Sequence, residues 1–509
     1  IASVFPVQNS DTALVSTNIV VFFGIDMNGT SVESSFTLTE SGGADVPAAV
    51  IYDATTKSAI LDPVADLKSG TEYIATISSS VQDAAGNTPL ASDFVWSFTT
   101  SPAIVLVSKD VNGVAGNNDS DFSDISADGR YIVFESSATN LVPDSVTNGI
   151  NHIYRKDTLS GEVLLVSSDI DGLEADRDSS SARISADGRF VVFESNATNL
   201  VSLVGNNSGL PQVYLKDMDN AAVVMVSRNA ADASNSGSGN PDFSSDGRFI
   251  VFESDSTNLI GLTSIIQHIY LADIQTPYVF ILVSVDTNGI ATTTGDSANP
   301  SISNNGRYIA FDSIANNLVT TDTNGFSDVF MRDIGDPVGT TPVTLLISKN
   351  SAVTGSANGN SVNPDISGDG QHVVFESSAQ DIDGGLTGTI DIFLSNTIDP
   401  ATLITSSSSG AANDDSANPT ISNDGRYIAF ESLATNLDGG SIGKFDIFVS
   451  DESTTDDIKR ISLSSDNNSN NARISSDGRY VSFDSPFGFT LDDTINGLLD
   501  TYRATNSTF

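Results

Sequence analysis

The chain contains no cysteine among its 509 residues, which excludes disulfides, cysteine–zinc sites and thiol catalysis. Histidine occurs only three times and lysine plus arginine 22 times, so groups for acid–base chemistry are scarce. No apolar run approaches the roughly 18 residues of a transmembrane helix, so we expect no membrane insertion. Because the chain begins at Ile1 without a basic and then apolar stretch, we expect a secreted or cell-surface, bacterial-type protein whose signal peptide has been removed.

Positive charge is also scarce relative to negative charge. Aspartate and glutamate number 65, and the formal net charge is −43. This charge opposes binding to the phosphate backbone, so we expect no nucleic-acid partner. The acidic residues are spread along the chain in ones and twos, which fits a solvated surface. The alternative is that some of them hold divalent cations.

The main positive feature of the chain is one sequence motif that occurs seven times. It first occurs at residues 125–136 as ISADGRYIVFES, with a turn glycine at Gly129. The equivalent glycines follow at intervals of 53 to 64 residues, at Gly188, Gly247, Gly306, Gly370, Gly425 and Gly478. Each unit divides into four short strands, of which the first two flank an Asp-Gly or Asn-Gly hairpin turn. Four antiparallel strands per unit predict the blades of a β-propeller.

The two ends of the repeat region predict how the ring closes. The last unit stops soon after Tyr502 and has no fourth strand of its own, whereas residues 104–108 form a strand that precedes the first unit. Pairing of the two would complete the last blade and hide two open strand edges. The sequence therefore predicts an all-β protein with a seven-bladed propeller of four-stranded blades over residues 102–509. The repeat resembles the TolB-type, WD40-like propeller repeat, whose hallmark is a Ser-x-Asp-Gly-Arg turn before a Phe-bearing strand.

Residues 1–101 lack this repeat. Short apolar stretches separated by turn residues predict a β-sandwich. Phe5-Pro6 near the start, the turn DAAGN at 83–87 and the strand WSFTT at 96–100 resemble the bacterial Ig-like domain first associated with S-layer proteins of the SbsA type. The resemblance implies an N-terminal Ig-like sandwich over residues 1–101.

The most faithfully repeated polar residues favour a structural role. An arginine follows six of the seven turn glycines, and an acid stands in every second strand. A catalytic site needs asymmetry, so we expect these acids and arginines to join neighbouring blades or to cap turns. His152 and His268 share one repeat position with aspartates elsewhere, which indicates a tolerant polar site. We find no nucleophile elbow and no phosphate-binding loop, and we expect a protein that is not an enzyme.

Four loops of the form Asp-x-Asn/Asp-Gly are the best candidates for chemistry. Oxygens at their first, third and seventh positions are the ligands that Ca²⁺ prefers, which makes Ca²⁺ the predicted cofactor. The same residues also stabilise Asx turns, and that alternative stays open. The candidate ligands are Asp110, Asn112, Asp169, Asp171, Asp286, Asn288, Asp322, Asn324 and Asp328.

These features favour a non-enzymatic extracellular or cell-surface protein with a structural or adhesive role. It would assemble with copies of itself or with other surface components into a filament or surface layer, and calcium would stabilise it. The alternative is a propeller that binds a polysaccharide or protein ligand at the mouth of its central channel. A hydrolase or lyase is disfavoured, because basic residues are scarce.

Overall fold

In the computed structural model, nearly all regular structure is β-strand. The structure describes the chain except for residues 14–17, 65–66, 69–70, 101–103, 143–148, 203–208, 264, 336–340, 384–387, 397–400, 408–409, 439, 441–442, 455–457, 463–466, 487–497 and 507–509. Contacts divide the chain into two units, one built on residues 1–103 and one on residues 104–504. Within the described part, no helix is long and apolar enough to cross a membrane.

The first unit is a sandwich of two four-stranded sheets. One sheet has the strand order Ser3–Phe5, Ile19–Phe22, Ser58–Pro63, Ala48–Asp53; the other has the order Ser10–Ala13, Phe94–Thr100, Glu72–Ile77, Phe36–Glu40. A short helix, Gly29–Ser35, begins with the Asn28 side chain accepting the Ser31 N–H. Alternate residues of Phe94–Thr100 point inward, so Trp96 and Phe98 are buried in the core between the sheets.

The described residues of the second unit form seven four-stranded antiparallel sheets, which we number 1 to 7 in chain order. Their strands are Ser120–Ile125, Tyr131–Ser136, His152–Asp157 and Val163–Leu165 in sheet 1; Ser179–Ile184, Phe190–Ser195, Gln212–Asp217 and Val223–Met225 in sheet 2; Ser238–Phe243, Phe249–Ser254, His268–Asp273 and Phe280–Leu282 in sheet 3; and Ser297–Ile302, Tyr308–Ser313, Asp328–Asp333 and Val343–Leu346 in sheet 4. Sheet 5 comprises Ser361–Ile366, Val373–Ser377, Asp391–Ser395 and Thr402–Leu403, and sheet 6 comprises Ser416–Ile421, Tyr427–Ser432, Asp446–Asp451 and Ile458–Arg460. Sheet 7 comprises Asn470–Ile474, Tyr480–Ser485, Asp500–Thr505 and Val105–Leu106. A small hairpin, Ser406–Ser407 with Gly410–Ala411, lies between sheets 5 and 6.

Sheet 7 takes its fourth strand from the start of the unit. Val105 and Leu106 pair antiparallel with Arg503 and Tyr502. The Ser108 hydroxyl adds a buried hydrogen bond of 2.7 Å to the Asp500 carboxylate. The strand that the sequence assigns to the last unit is therefore the strand that pairs there, and this contact joins the two ends of the propeller.

The turn glycine of each repeat is required by both conformation and space. Gly188 has a φ of +75°, and a Cβ at this position would lie 2.1 Å from Cδ2 of Tyr131 in the preceding sheet. The other six turn glycines also have positive φ and face an aromatic ring of the preceding sheet. In the one motif that lacks the arginine, the ring is the imidazole of His372, which faces Gly425. The motif thus packs each turn onto its neighbour.

Candidate functional site

The repeated acids join neighbouring sheets around the ring. In every first strand the ladder shifts register at a bulge, and the bulge residue has a positive φ of 44° to 56°. Its N–H points to the acid of the preceding sheet, as in Asn299 to Glu253 at 3.0 Å. The side-chain amide of Asn299 donates to Asp312 of its own sheet at 2.8 Å. Asparagine tolerates positive φ, so it suits this position.

We call these seven acids the carboxylate belt: Glu135, Glu194, Glu253, Asp312, Glu376, Glu431 and Asp484. Burial raises the pKa of every member, to about 7 for Glu135 and to about 6 for Asp312. The belt is the connection between neighbouring sheets that the sequence predicts. The carboxylates of the belt accept hydrogen bonds from strands of the propeller itself.

The repeated arginines have a different structural role. The Arg130 guanidinium forms two hydrogen bonds, of 3.0 and 2.7 Å, with the Asp157 carboxylate at the end of the third strand of the same sheet. The same paired geometry recurs at Arg189, Arg248, Arg307 and Arg426. The arginines therefore fasten the two hairpin turns of one sheet to each other.

The histidines at the start of the third strand contact a serine at the end of the fourth. Nδ1 of His152 lies 3.1 Å from the Ser167 hydroxyl, and Nδ1 of His268 lies 3.1 Å from the Ser284 hydroxyl. Asp328 occupies this position in sheet 4 and accepts a hydrogen bond of 2.7 Å from Ser348. Histidine and aspartate thus make the same local contact, and burial lowers the pKa of both histidines.

Three of the four candidate calcium loops are Asx turns in this structure. In the first, one carboxylate oxygen of Asp110 accepts the N–H groups of Asn112 and Val114, both at 2.8 Å. Asp169 and Asp286 make the equivalent two bonds, with Asp171 and Asn288 at the third position of their loops. The backbone bond from Ile290 is the largest cause of the lowered pKa of Asp286. Calcium binding by these loops stays a prediction.

The fourth loop buries two of its predicted residues, Asp322 and Asp328, and brings them together with the half-buried Asn324. The Asn324 amide donates to Asp328 at 2.9 Å, and the Asp322 carboxylate is close enough to raise the pKa of Asp328. Burial raises the pKa of both carboxyl groups, to about 7 for Asp328. Among the residues that the structure describes, no group of three or more acidic or histidine side chains is placed to hold a metal ion. The loop supplies two carboxyl groups, and calcium binding here is likewise a prediction.

A cavity of about 640 Å³, which we call the central cavity, lies where the seven first strands meet. One position in each first strand, two residues after the positive-φ residue, lines it. Around the ring from sheet 1 to sheet 7 this position is occupied by Asp124, Arg183, Asp242, Ser301, Asp365, Thr420 and Arg473. We call these residues the channel ring. Unlike the carboxylate belt, the channel ring changes charge from sheet to sheet.

The acceptors of the channel ring also bind the next sheet. Asp124, Asp242 and Asp365 each accept an N–H from the following sheet at 2.8 to 2.9 Å. Burial raises the pKa of Asp242 to about 6, against the opposing effect of Arg183. Burial and the nearby Arg183 charge lower the pKa of Arg473 to about 10, so the guanidinium stays protonated at neutral pH.

The sequence pattern alone does not identify the channel ring. The signal is nevertheless present, because the ring residue always precedes the Ile-Ser or Phe-Ser pair that ends the first strand. When the seven repeats are aligned, the residue at this position is acidic, basic or neutral, so the fold does not require one particular charge there. Only the closed ring shows that these seven positions surround one cavity.

Both units of the chain have similarities to known proteins. Residues 1–100 match the family model of the bacterial Ig-like domain. No curated protein matches the chain. TolB from Acinetobacter baumannii is 14% identical, with a TM-score of 0.36 over 80% of this chain and 87% of that one. The β-propeller domain of the Trilobed protease from Pyrococcus furiosus is 10% identical, with a TM-score of 0.46 over 76% and 94%. An oligogalacturonate lyase is 12% identical, with a TM-score of 0.43 over 90% and 96%.

Domains of the matched Ig-like kind are typically extracellular or surface-associated. The chain thus carries a bacterial Ig-like domain over residues 1–100, and the described residues of its second unit form seven four-stranded antiparallel sheets.

Proposed function

We propose that this chain is a non-enzymatic protein of the bacterial cell surface or exterior, and that its propeller binds a ligand at the central cavity. The observation that carries the proposal is the contrast between two sets of repeated positions. The carboxylate belt keeps the same chemistry in all seven sheets, whereas the channel ring varies in charge while facing open space. Residues of the same chemistry in every sheet suit a structural role, whereas residues that differ in charge around one cavity suit a binding site.

The absence of catalysis is part of the proposal. Within the described residues, His152 and His268 are buried against serines of their own sheets and do not line the central cavity. The carboxylates of the belt accept backbone and asparagine N–H groups. These groups support the fold, which leaves few candidates for a general acid or base.

A binding screen tests this function. The purified full chain, immobilised on a surface, would be exposed to a glycan array and to proteins of the bacterial envelope. We expect a ligand whose capture is lost when Asp365 is replaced by Asn, because Asp365 lines the cavity. An Asp369→Asn variant, with the change in the nearby exposed turn, is the matched control. No ligand in the screen, or equal capture by both variants, would refute binding of a glycan or an envelope protein at the cavity.

Self-assembly is a second candidate, supported by exposed aliphatic side chains on the Asx loops. Val111 and Val114 are 59% and 56% exposed, and Ile170 and Leu173 are 63% and 58% exposed. Such side chains, repeated around one propeller, suit contact with another copy or a surface component. Electron microscopy at high protein concentration would show filaments or sheets that are lost on changing Val111 and Ile170 to Ser. Dispersed monomers under all conditions would refute assembly.

Calcium stabilisation is tested separately by thermal melting. Specific binding stabilises the native state by mass action, so the melting temperature would rise with Ca²⁺ concentration. The buried pair Asp322 and Asp328 is the most sensitive place to look, because a cation there would offset the desolvation of two carboxyl groups. A rise that Mg²⁺ reproduces, or that survives Asp322→Asn, would refute a specific site in this loop.

A further inference from the structure

The Arg473 side chain differs from the repeated arginines in its contacts. Each of those five, such as Arg130, forms a paired contact with an aspartate. Arg473 lines the central cavity, and the hydrogen bonds of the residues that the structure describes include none from its guanidinium. A guanidinium carries five N–H donors and is charged at all ordinary pH values. Partly buried donors of this strength normally have an acceptor.

A second guanidinium stands close by. In ring order, Arg473 of sheet 7 and Arg183 of sheet 2 flank Asp124 of sheet 1. The hydrogen bond described for the Arg183 guanidinium runs to the carbonyl of its own neighbour, Ala182, at 3.3 Å. After burial, the Arg183 charge is the largest influence on the pKa of Arg473, which it lowers. Two guanidinium groups of like charge that line one cavity favour an anion between them.

The surrounding charges limit what that anion is. The channel ring carries two arginines and three aspartates, so its own net charge is negative. Asp124 lies between the two arginines in ring order, and Asp242 and Asp365 act on Arg473 across the cavity. A dianion such as sulfate would be repelled by these carboxylates. A monoanion with two oxygens in one plane matches the forked N–H groups of a guanidinium.

Aliphatic side chains lie directly beside this charged sector. Ile474, Ile125 and Ile184 follow Arg473, Asp124 and Arg183 in their strands and also line the cavity. They are 8%, 5% and 7% exposed. An anion with a short hydrocarbon part could place its charge on the guanidinium groups and its carbon atoms against these residues.

We propose that the central cavity binds a small organic carboxylate, held between the guanidinium groups of Arg473 and Arg183. This inference rests on the proposed binding function and names the ligand chemistry of that cavity. The carboxylate of the ligand accepts hydrogen bonds from the N–H groups of Arg473, and its negative charge reduces the repulsion between the two arginines. The isoleucines favour a ligand with an aliphatic part over formate or an inorganic anion.

Ligand-detected NMR with sodium propionate as the probe tests the proposal on the full chain. We expect a saturable saturation-transfer signal that sodium sulfate at equal ionic strength does not displace. Replacing Arg473 by Gln should weaken binding roughly tenfold or more, because hydrogen bonds to charged groups are lost. Arg479→Gln is the matched control, since Arg479 lies six residues away with a side chain 57% exposed. This control should bind propionate as the unaltered chain does.

An Arg473→Lys variant distinguishes a direct loss of binding from a loss of folding. It keeps the charge but not the fork, so binding should weaken while the melting temperature stays close to that of the unaltered chain. The proposal is overturned if the unaltered chain gives no saturable signal, if sulfate displaces propionate, or if the Gln variant binds equally well. Macromolecular capture without propionate binding would refute this inference alone. Propionate binding without capture of a glycan or protein would keep this inference and refute only a macromolecular ligand for the cavity.

Discussion

Replacing Asp312 of the carboxylate belt by Asn should stabilise the propeller at alkaline pH. One oxygen of Asp312 accepts the Asn299 side-chain amide at 2.8 Å and the Asn363 N–H at 3.3 Å. The other lies 3.4 Å from the Ser327 hydroxyl. An asparagine oxygen would keep the first two bonds, and its NH₂ group could donate to the Ser327 oxygen. The substitution therefore removes the charge without leaving a buried group unpaired.

The magnitude follows from the pKa of this carboxyl group. Burial, with the residue 7% exposed, raises the pKa of Asp312 from 3.8 to about 6. Because the folded pKa is the higher one, the associated stability is fully present below pH 3.8 and is lost as the pH rises through about 6. A shift of about two units corresponds to about 3 kcal/mol at pH 8. Asp312→Asn does not ionise and avoids this loss.

Differential scanning calorimetry at pH 4 and pH 8 measures the effect. The propeller unit spans residues 104–504. At about 2 cal/mol/K of unfolding entropy per residue, about 3 kcal/mol raises the melting temperature by roughly 3–4 °C at pH 8. At pH 4 the difference should nearly vanish. Glu253→Gln is the contrasting variant, because both its oxygens accept N–H groups and one would meet an NH₂ group instead.

The sign of the pH 8 result decides whether the reasoning is right. A lower melting temperature for Asp312→Asn at pH 8 would mean that the charged form is the stabilising one. An equal shift at both pH values would mean that ionisation of this group is irrelevant. Either outcome would refute burial as the dominant influence on the belt.

The remaining predictions concern the hairpin turns. Arg426 lowers the pKa of Asp451 to about 2, so the contact stabilises the fold above pH 3.8 and is lost as the pH falls through about 2. Asp451→Asn should cost about 1–2 kcal/mol at pH 7 and less near pH 2, as measured by urea unfolding; a pH-independent cost would contradict this. Gly188→Ala should cost more than about 3 kcal/mol, because its Cβ would lie 2.1 Å from the Tyr131 ring. Gly172→Ala, with φ of +85° and nothing within 4 Å, should cost only about 1 kcal/mol, and equal costs in thermal melting would rule out ring packing as the cause.

The strand pattern was predictable because each repeat carries its own local signals. An Asp-Gly turn between two apolar stretches specifies a hairpin without reference to the rest of the chain. The pairing of Val105 with Arg503 was predictable for a different reason: one unit lacked a strand and one strand lacked a unit. The acids of the belt were predictable as structural residues because seven equal copies cannot form one asymmetric site.

The positive-φ bulge was not predictable from the same evidence. Phe122, Ser181 and five asparagines all adopt this conformation, so residue type alone does not mark it. The bulge exists because the N–H must turn toward the acid of the preceding sheet, as Phe122 does toward Asp484 at 2.7 Å. This contact joins residues far apart in the chain, and the hydrophobic pattern of a single strand contains no trace of it.

The bulge also explains how one strand serves both scaffold and site. It directs the backbone N–H of Asn471 to Glu431 of sheet 6, while Arg473, two residues later, lines the cavity. The inter-sheet bond at the bulge uses the backbone, so it places no demand on the side chain at the channel ring. Arginine is therefore tolerated there, although it cannot accept the N–H bond that Thr420 accepts from Ile474. At Arg183 and Arg473 the channel ring has a charged side chain that cannot accept the inter-sheet N–H bond. Loss of this structural bond is what we expect where the side chain has been selected to bind a ligand.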